Sequence, residues 1–163
     1  AKNRNTSEAL LKGLVFTATG AAMTPTYTWK GDKLYHYYTS MDLIRNRAVA
    51  DKGAPLRMSA AVVDGAVIAE LRRLIGAPEI VARVVATFSR EGLRVDENAI
   101  VEALRRFNGL WDALFPPEQA RIVRLLVGRV TVGASGIAVD LRNNGLATLV
   151  RDLSANAHQE AAE

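Results

Sequence analysis

The stretch from Leu10 to Ser40 constrains the fold of this chain most, because its residue pattern predicts β-strands joined by turns. Gly31-Asp32 is a tight-turn signal between two runs in which residue character alternates, one around Tyr27–Trp29 and one over Leu34–Tyr38. An apolar run that includes Leu14 and Phe16 precedes them. The sequence therefore predicts a small antiparallel β-ribbon of two or three strands in the N-terminal third.

This ribbon combines basic and aromatic side chains. The aromatic residues are Tyr27, Trp29, Tyr35, Tyr37 and Tyr38, and the lysines beside them are Lys12, Lys30 and Lys33. Basic groups interleaved with aromatic rings on a β-ribbon suit a nucleic-acid contact surface. The alternative is that the aromatic residues form the core of a small sheet.

Positive charge is concentrated at the N-terminal end of the chain. The net charge is +4, yet residues 1–57 hold nine Lys and Arg against four acids, whereas the remainder holds twelve Arg against thirteen acids. A polyanion such as double-stranded DNA would be drawn to the first third, although a solvated basic face without a partner is also compatible. The candidate DNA-binding residues are Lys12, Lys30, Lys33, Arg45, Arg47, Lys52 and Arg57. The last four fall in residues 41–57, which lack a clear period and are predicted to form a basic loop.

Composition excludes several classes of site. The chain has no cysteine and two histidines, so disulfides, thiolate nucleophiles and cysteine-based zinc sites are excluded, and we expect neither a metal nor a cofactor. No apolar run approaches the roughly 20 residues of a membrane-spanning helix. We therefore expect a cytoplasmic protein without a membrane partner, preceded by a polar linker over residues 1–9.

Helical periodicity dominates the middle of the chain. Apolar residues recur at steps of three and four in segments bounded by Ser59 and Gly76, by Pro78 and Gly92, and by Asp96 and Gly109, with a fourth helix opening at Pro117. Short connections favour antiparallel pairing of these helices.

A second hairpin follows the helices. Val130–Val132 and Ile137–Leu141 alternate strictly around a turn at residues 133–136, and a helical turn or two reaches Leu153 before a tail predicted to be disordered. The predicted fold is α+β, with a small N-terminal antiparallel β-ribbon, central antiparallel helices and a C-terminal β-hairpin. The predicted boundaries are 1–9 for the linker, 10–57 for the β domain, 58–153 for the helical domain with its hairpin, and 154–163 for the tail.

Several short sequence motifs occur in an order that resembles the C-terminal region of large serine site-specific recombinases. They are Leu11–Phe16, Gly20, Met23–Pro25, Tyr35–Ser40, Arg57–Ala60 and Trp111–Ile122, and the resemblance extends over about Leu10 to Leu153. The first motifs are similar to the zinc β-ribbon of these recombinases. The resemblance implies binding to half of an attachment site and pairing with other recombinase subunits.

The chain departs from that pattern at the metal ligands. Thr17–Gly20 and Ser40 stand where the family places cysteines, so the resemblance is to a ribbon without zinc. Because zinc supplies folding energy in such ribbons, apolar packing must replace it here. The residues expected to do so are Leu14, Phe16, Met23, Trp29, Tyr35 and Tyr37.

Catalytic machinery is not recognisable in this sequence. The family cuts DNA with a serine in a separate N-terminal domain, and the serines here stand in predicted linkers, caps and turns without a neighbouring base. We expect the chain to be non-catalytic by itself. One alternative is a protein-interaction or oligomerisation module that has lost DNA contact along with zinc; the other is a small-molecule enzyme, for which the sequence offers only isolated histidines and scattered carboxylates.

Overall fold

Contacts within the chain divide it into two compact units. The computed structural model describes residues 9–47, 53 and 55–162, with side chains up to residue 155. One unit comprises Ala1–Ile68 with Arg129–Asp140, and the other comprises Ala69–Gly128 with Leu141–Glu163. The hairpin residues 129–140 group with the N-terminal residues in this division, and the boundaries at 10–57 and 58–153 stay a prediction.

The first unit contains a three-stranded antiparallel sheet formed by β2 (Met23–Lys30), β3 (Lys33–Ser40) and β4 (Arg57–Ser59). β2 and β3 pair from Met23 opposite Ser40 to Lys30 opposite Lys33. Gly31, at φ +63°, makes the turn between them, a backbone conformation that favours glycine. The predicted hairpin is confirmed, and β4 adds a third strand beside β3.

A second sheet has the strand order β1, β5, β6, where β1 is Val15–Thr17, β5 is Val127–Gly133 and β6 is Gly136–Leu141. β1 runs parallel to β5, with Val15 beside Val130. The C-terminal hairpin is confirmed. The apolar run around Leu14 and Phe16 was expected in the ribbon, but its strand β1 belongs to this second sheet. An isolated bridge between Phe16 and Ala22 is formed just before β2. The parallel pairing of β1 with β5 joins strands that are more than a hundred residues apart and was not predicted.

The prediction of a basic loop over residues 41–57 is wrong at both of its ends. Met41–Ile44 forms a short helix, α1, because the Ser40 hydroxyl caps it by accepting a hydrogen bond from the Asp42 N–H at 3.2 Å. At the other end, Arg57 begins β4. Lys52 and its neighbours at 48–51 and 54 lie outside the described residues.

Helices account for most of the remaining residues. α2 is Ala60–Ile75, α3 is Pro78–Arg90, α4 is Glu97–Leu110, α5 is Pro116–Leu126 and α6 is Asn143–Ala162, with a 3-10 helix at Trp111–Ala113. The helix predictions are confirmed, with starts at proline for α3 and α5 and a cap by the Asp96 carboxylate for α4. α6 extends nine residues beyond Leu153, where the sequence pattern ended. Together with the two sheets these helices confirm the α+β class.

The core of the second unit forms where α6 packs against α3, α4 and α5. Phe107 and Trp111 are buried there in an edge-to-face contact, with ring centroids 5.8 Å apart. α6 begins in close contact with α5, since a Cβ on Gly145 would lie 2.0 Å from the Leu125 carbonyl oxygen. None of the helices within the described residues is both long enough and apolar enough to cross a membrane.

Candidate nucleic-acid interface

The register of β2 and β3 decides which ribbon side chains share a face. Lys30 pairs with Lys33, and Thr28 pairs with Tyr35. Because side chains alternate across a strand, these residues lie on one face together with Tyr37, two residues further along β3. β4 places Arg57 opposite Thr39, which adds the guanidinium to the same face.

Cation–ring contacts hold the charged groups of this face in place. The Nζ atoms of Lys30 and Lys33 each lie 5.2 Å from the ring centroid of Tyr35. The Arg57 guanidinium carbon lies 3.8 Å from the centroid of Tyr37. We call these five residues the cationic face. The cation–π attraction orients the cations without neutralising them, at about 0.5–1 kcal/mol for an exposed pair.

The electrostatics of the cationic face are unbalanced. No carboxylate of the described residues lies within 4.0 Å of the charged groups of Lys30, Lys33 or Arg57. Like charges directly opposite each other on paired strands are destabilising. An anion bound at the ribbon tip would remove the repulsion between Lys30 and Lys33, so the geometry suits a phosphate.

The opposite face of the ribbon is aromatic and changes character along its length. Tyr27 and Trp29 are each 56% exposed near the tip, whereas Met23 and Tyr38 are buried at the base. The expectation that Trp29 packs in place of zinc is therefore wrong, because the tip extends beyond the core. The alternative of an aromatic core applies to Tyr38, whereas Tyr27 and Trp29 are surface residues.

Tyr38 anchors the base of the ribbon through its hydroxyl group. That group accepts a hydrogen bond from the Leu11 N–H at 3.1 Å and donates one to Asp64 Oδ1 at 2.7 Å. Burial raises the pKa of the Asp64 carboxyl above its ordinary value, and the hydrogen bond from Tyr38 opposes part of that rise. A half-buried hydrogen bond between β3 and α2 thus helps to fix the position of the ribbon base.

Three of the other four predicted DNA-binding residues are described, and they are exposed outside the cationic face. Lys12 is exposed in the turn before β1, and Arg45 and Arg47 are exposed at the end of α1 and just after it. Lys52 lies outside the described residues. The structure brings Lys30, Lys33 and Arg57 together, and a DNA-binding role for all seven residues stays a prediction.

One cation of this unit was missed by sequence reasoning. The Arg129 guanidinium lies 4.1 Å from the ring centroid of Phe16 and is exposed on β5. The contact depends on the parallel pairing of β1 with β5, for which the local sequence carries no signal. Arg129 therefore belongs among the exposed cations of the first unit that could reach a polyanion.

Hydroxyl groups stand at Thr17, Thr19 and Ser40, in the segments that the sequence resemblance compares with zinc-binding cysteines. The Thr17 hydroxyl lies 3.1 Å from that of Thr19 and accepts a hydrogen bond from the Ala21 N–H. Ser40 is buried and caps α1. Within the described part of the chain, no three His, Cys, Asp or Glu residues are grouped so that they could hold a metal ion. These hydroxyl groups instead stabilise the adjacent turn and helix.

Comparison with known proteins gives a likeness in structure. No protein-family model matches the sequence. No curated protein matches it either. A solved structure described as an LSR-DNA complex, where LSR denotes large serine recombinase, matches with a TM-score of 0.50 and 13% identity. The match covers 85% of this chain and 57% of that one.

This chain shares its fold with part of that structure. It spans a little over half the length of the recombinase that it matches. At 13% identity the likeness concerns the fold, so the correspondence to a particular recombinase region stays a prediction.

Proposed function

We propose that this chain is the DNA-binding C-terminal portion of a serine site-specific recombinase of the resolvase, invertase and integrase group. The observation that carries the proposal is the cationic face, in which two lysines and an arginine lie on tyrosine rings without a described carboxylate in reach. A two-stranded ribbon has the dimensions to enter the major groove. Its tip lysines would then contact phosphates on the groove's edge.

The structural likeness supports the same partner. The similar recombinase was solved as a complex with DNA, and its fold is shared over most of this chain. We infer that the chain binds half of an attachment site and contributes to pairing with other recombinase subunits. In this proposal DNA cleavage belongs to a separate catalytic domain, this chain does not cut DNA by itself, and the protein acts in the cytoplasm.

Salt-dependent binding to a mixed-sequence DNA duplex tests the proposal. Fluorescence anisotropy between about 50 and 200 mM salt gives the slope of log affinity against log salt, to which each neutralised phosphate contributes about 0.9. Changing Lys30 and Lys33 together to Ala should reduce that slope by about 1.8. Arg57→Ala should reduce it by about 0.9, on the basis of one phosphate contact.

A matched control separates a local contact from net charge. Arg105→Ala with Arg106→Ala removes the same charge from exposed positions of α4 and should leave the slope unchanged. Thermal melting should show that the lysine double variant is at least as stable as the parent chain, because the repulsion between the two paired lysines is removed. Undetectable duplex binding at low salt, or equal slopes for the two double variants, would refute the role of the cationic face.

The exposed aromatic tip favours a second candidate function, a protein-interaction module. Tyr27 and Trp29 expose apolar rings side by side on the face opposite the lysines. Such rings are enriched at protein interfaces. Sedimentation analysis of the parent chain and of Trp29→Ala tests this: self-association that the variant abolishes, without any duplex binding, would favour this function over the first.

A further inference from the structure

The helical unit contains a cavity that the cationic face does not explain. Its volume is about 680 Å³, and it lies where the end of α3, the last turns of α5 and the beginning of α6 meet. The residues that matter for its chemistry are Arg90, Glu91, Arg124, Arg142, Asn144 and Gly145. Among the described lining residues, three arginines accompany one carboxylate, and Arg124 already has an interaction partner within the chain.

The single carboxylate among the described lining residues is already engaged. Glu91 forms an ion pair with Arg151 at the cavity's edge. Arg90 and Arg142 each donate from Nε to a backbone carbonyl, at 3.3 and 3.1 Å. Neither has a carboxylate of the described residues within 4.0 Å. Among the described residues, the positive charges of Arg90 and Arg142 therefore have no carboxylate counterion.

The wall of the cavity is held by specific contacts. The Arg83 guanidinium donates to Asn143 Oδ1 from Nε at 2.8 Å and from Nη2 at 2.5 Å, and Nη2 also bonds the Leu141 carbonyl. Gly145 allows the first turn of α6 to reach the Leu125 backbone. A site whose backbone is fixed in this way loses little conformational entropy when a ligand binds.

We propose that this cavity binds a phosphate group. Guanidinium groups pair with phosphate oxygens through short, charge-assisted hydrogen bonds, and Arg90, Arg124 and Arg142 approach the cavity from three different segments. The phosphate belongs either to a DNA backbone or to a small phosphorylated compound. The proposal concerns the helical unit and does not depend on the cationic face.

Isothermal titration with inorganic phosphate and with pyrophosphate tests the small-ligand source. Arg90→Gln and Arg124→Gln should each weaken binding about tenfold, the effect of losing a charged hydrogen-bond donor. Arg121→Gln is the matched control, because Arg121 is exposed on α5 one turn before Arg124 and does not line the cavity. Glu91→Gln should tighten phosphate binding, because it removes a negative charge from the cavity lining. Partial unfolding of the variant would weaken binding instead.

The duplex source is tested by the salt slope of DNA binding. If Arg90→Gln reduces the slope by about 0.9 and Arg121→Gln does not, the cavity binds a backbone phosphate. The proposal is overturned if phosphate and pyrophosphate fail to bind and the DNA slope is unchanged, or if bound phosphate is insensitive to Arg90→Gln and Arg124→Gln. If the chain binds no DNA, the proposed function is refuted. The titration with phosphate and pyrophosphate would still test the proposed phosphate site.

Discussion

Replacing Gly145 with Ala should destabilise the helical unit more than any other glycine-to-alanine change within a helix of this chain. Gly145 is buried in the first turn of α6, at a backbone conformation that alanine adopts readily. The difficulty is space, because the new Cβ would lie 2.0 Å from the Leu125 carbonyl oxygen and 2.9 Å from its carbonyl carbon. Both atoms are backbone, so no side-chain rotation relieves the clash.

The magnitude follows from two opposing effects. Alanine gains about 0.5–1 kcal/mol over glycine inside a helix. Overpacking a buried contact costs about 1–3 kcal/mol, and this contact lies at the upper end because α6 must move by more than 1 Å away from α5 to restore a normal distance. We therefore expect a net loss of about 2 kcal/mol in the free energy of unfolding.

Chemical denaturation measured by circular dichroism gives this quantity directly, and thermal melting should show a fall in Tm of about 4–8 °C. Gly65→Ala is the matched control, since Gly65 is exposed within α2 and a Cβ there would meet no atom within 4 Å. That variant should be unchanged or stabilised by up to about 1 kcal/mol. If Gly145→Ala were as stable as Gly65→Ala, the close contact between α5 and α6 would be refuted.

Three further predictions concern the core and the ribbon base. Trp111→Ala should lower the free energy of unfolding by about 3–5 kcal/mol, because its buried ring packs on its neighbours. Trp29→Ala is the control and should change the free energy of unfolding by less than about 0.5 kcal/mol, because Trp29 is exposed. Equal effects of the two substitutions would contradict this burial. Tyr38→Phe should cost about 1–3 kcal/mol, since the Leu11 N–H and the Asp64 carboxyl both lose the hydroxyl partner, and unaltered stability in denaturant would argue against those bonds. The raised pKa of Asp64 means that the folded chain keeps a proton that the unfolded chain releases near pH 3.8, so the contribution of this group to stability is greatest below that pH and falls as pH rises through the folded pKa. The free energy of unfolding should therefore fall with rising pH more steeply in the parent chain than in Asp64→Asn, as measured by unfolding curves from below pH 3.8 upward. Parallel pH profiles of the two chains would refute the raised pKa of Asp64.

Local sequence patterns determined most of the secondary structure. Gly31-Asp32 between alternating runs specified the β2–β3 hairpin, because a tight turn and a two-residue period leave few other arrangements. Proline at the start of α3 and α5 and the Asp96 cap of α4 fixed helix starts through backbone geometry alone. The pairing of Lys30 with Lys33 follows from the same local signals, so the ribbon tip was predictable before its structure.

Tertiary structure decided which distant segments meet. Pairing of β1 with β5 brought Arg129 onto Phe16, and β4 carried Arg57 onto Tyr37. Three separate segments of the helical unit line the open, arginine-rich cavity. Turns, caps and periodicity are set by interactions between near neighbours in the chain. Contacts between remote residues depend instead on how whole elements bury their apolar faces together, and no short stretch of this sequence encodes that choice.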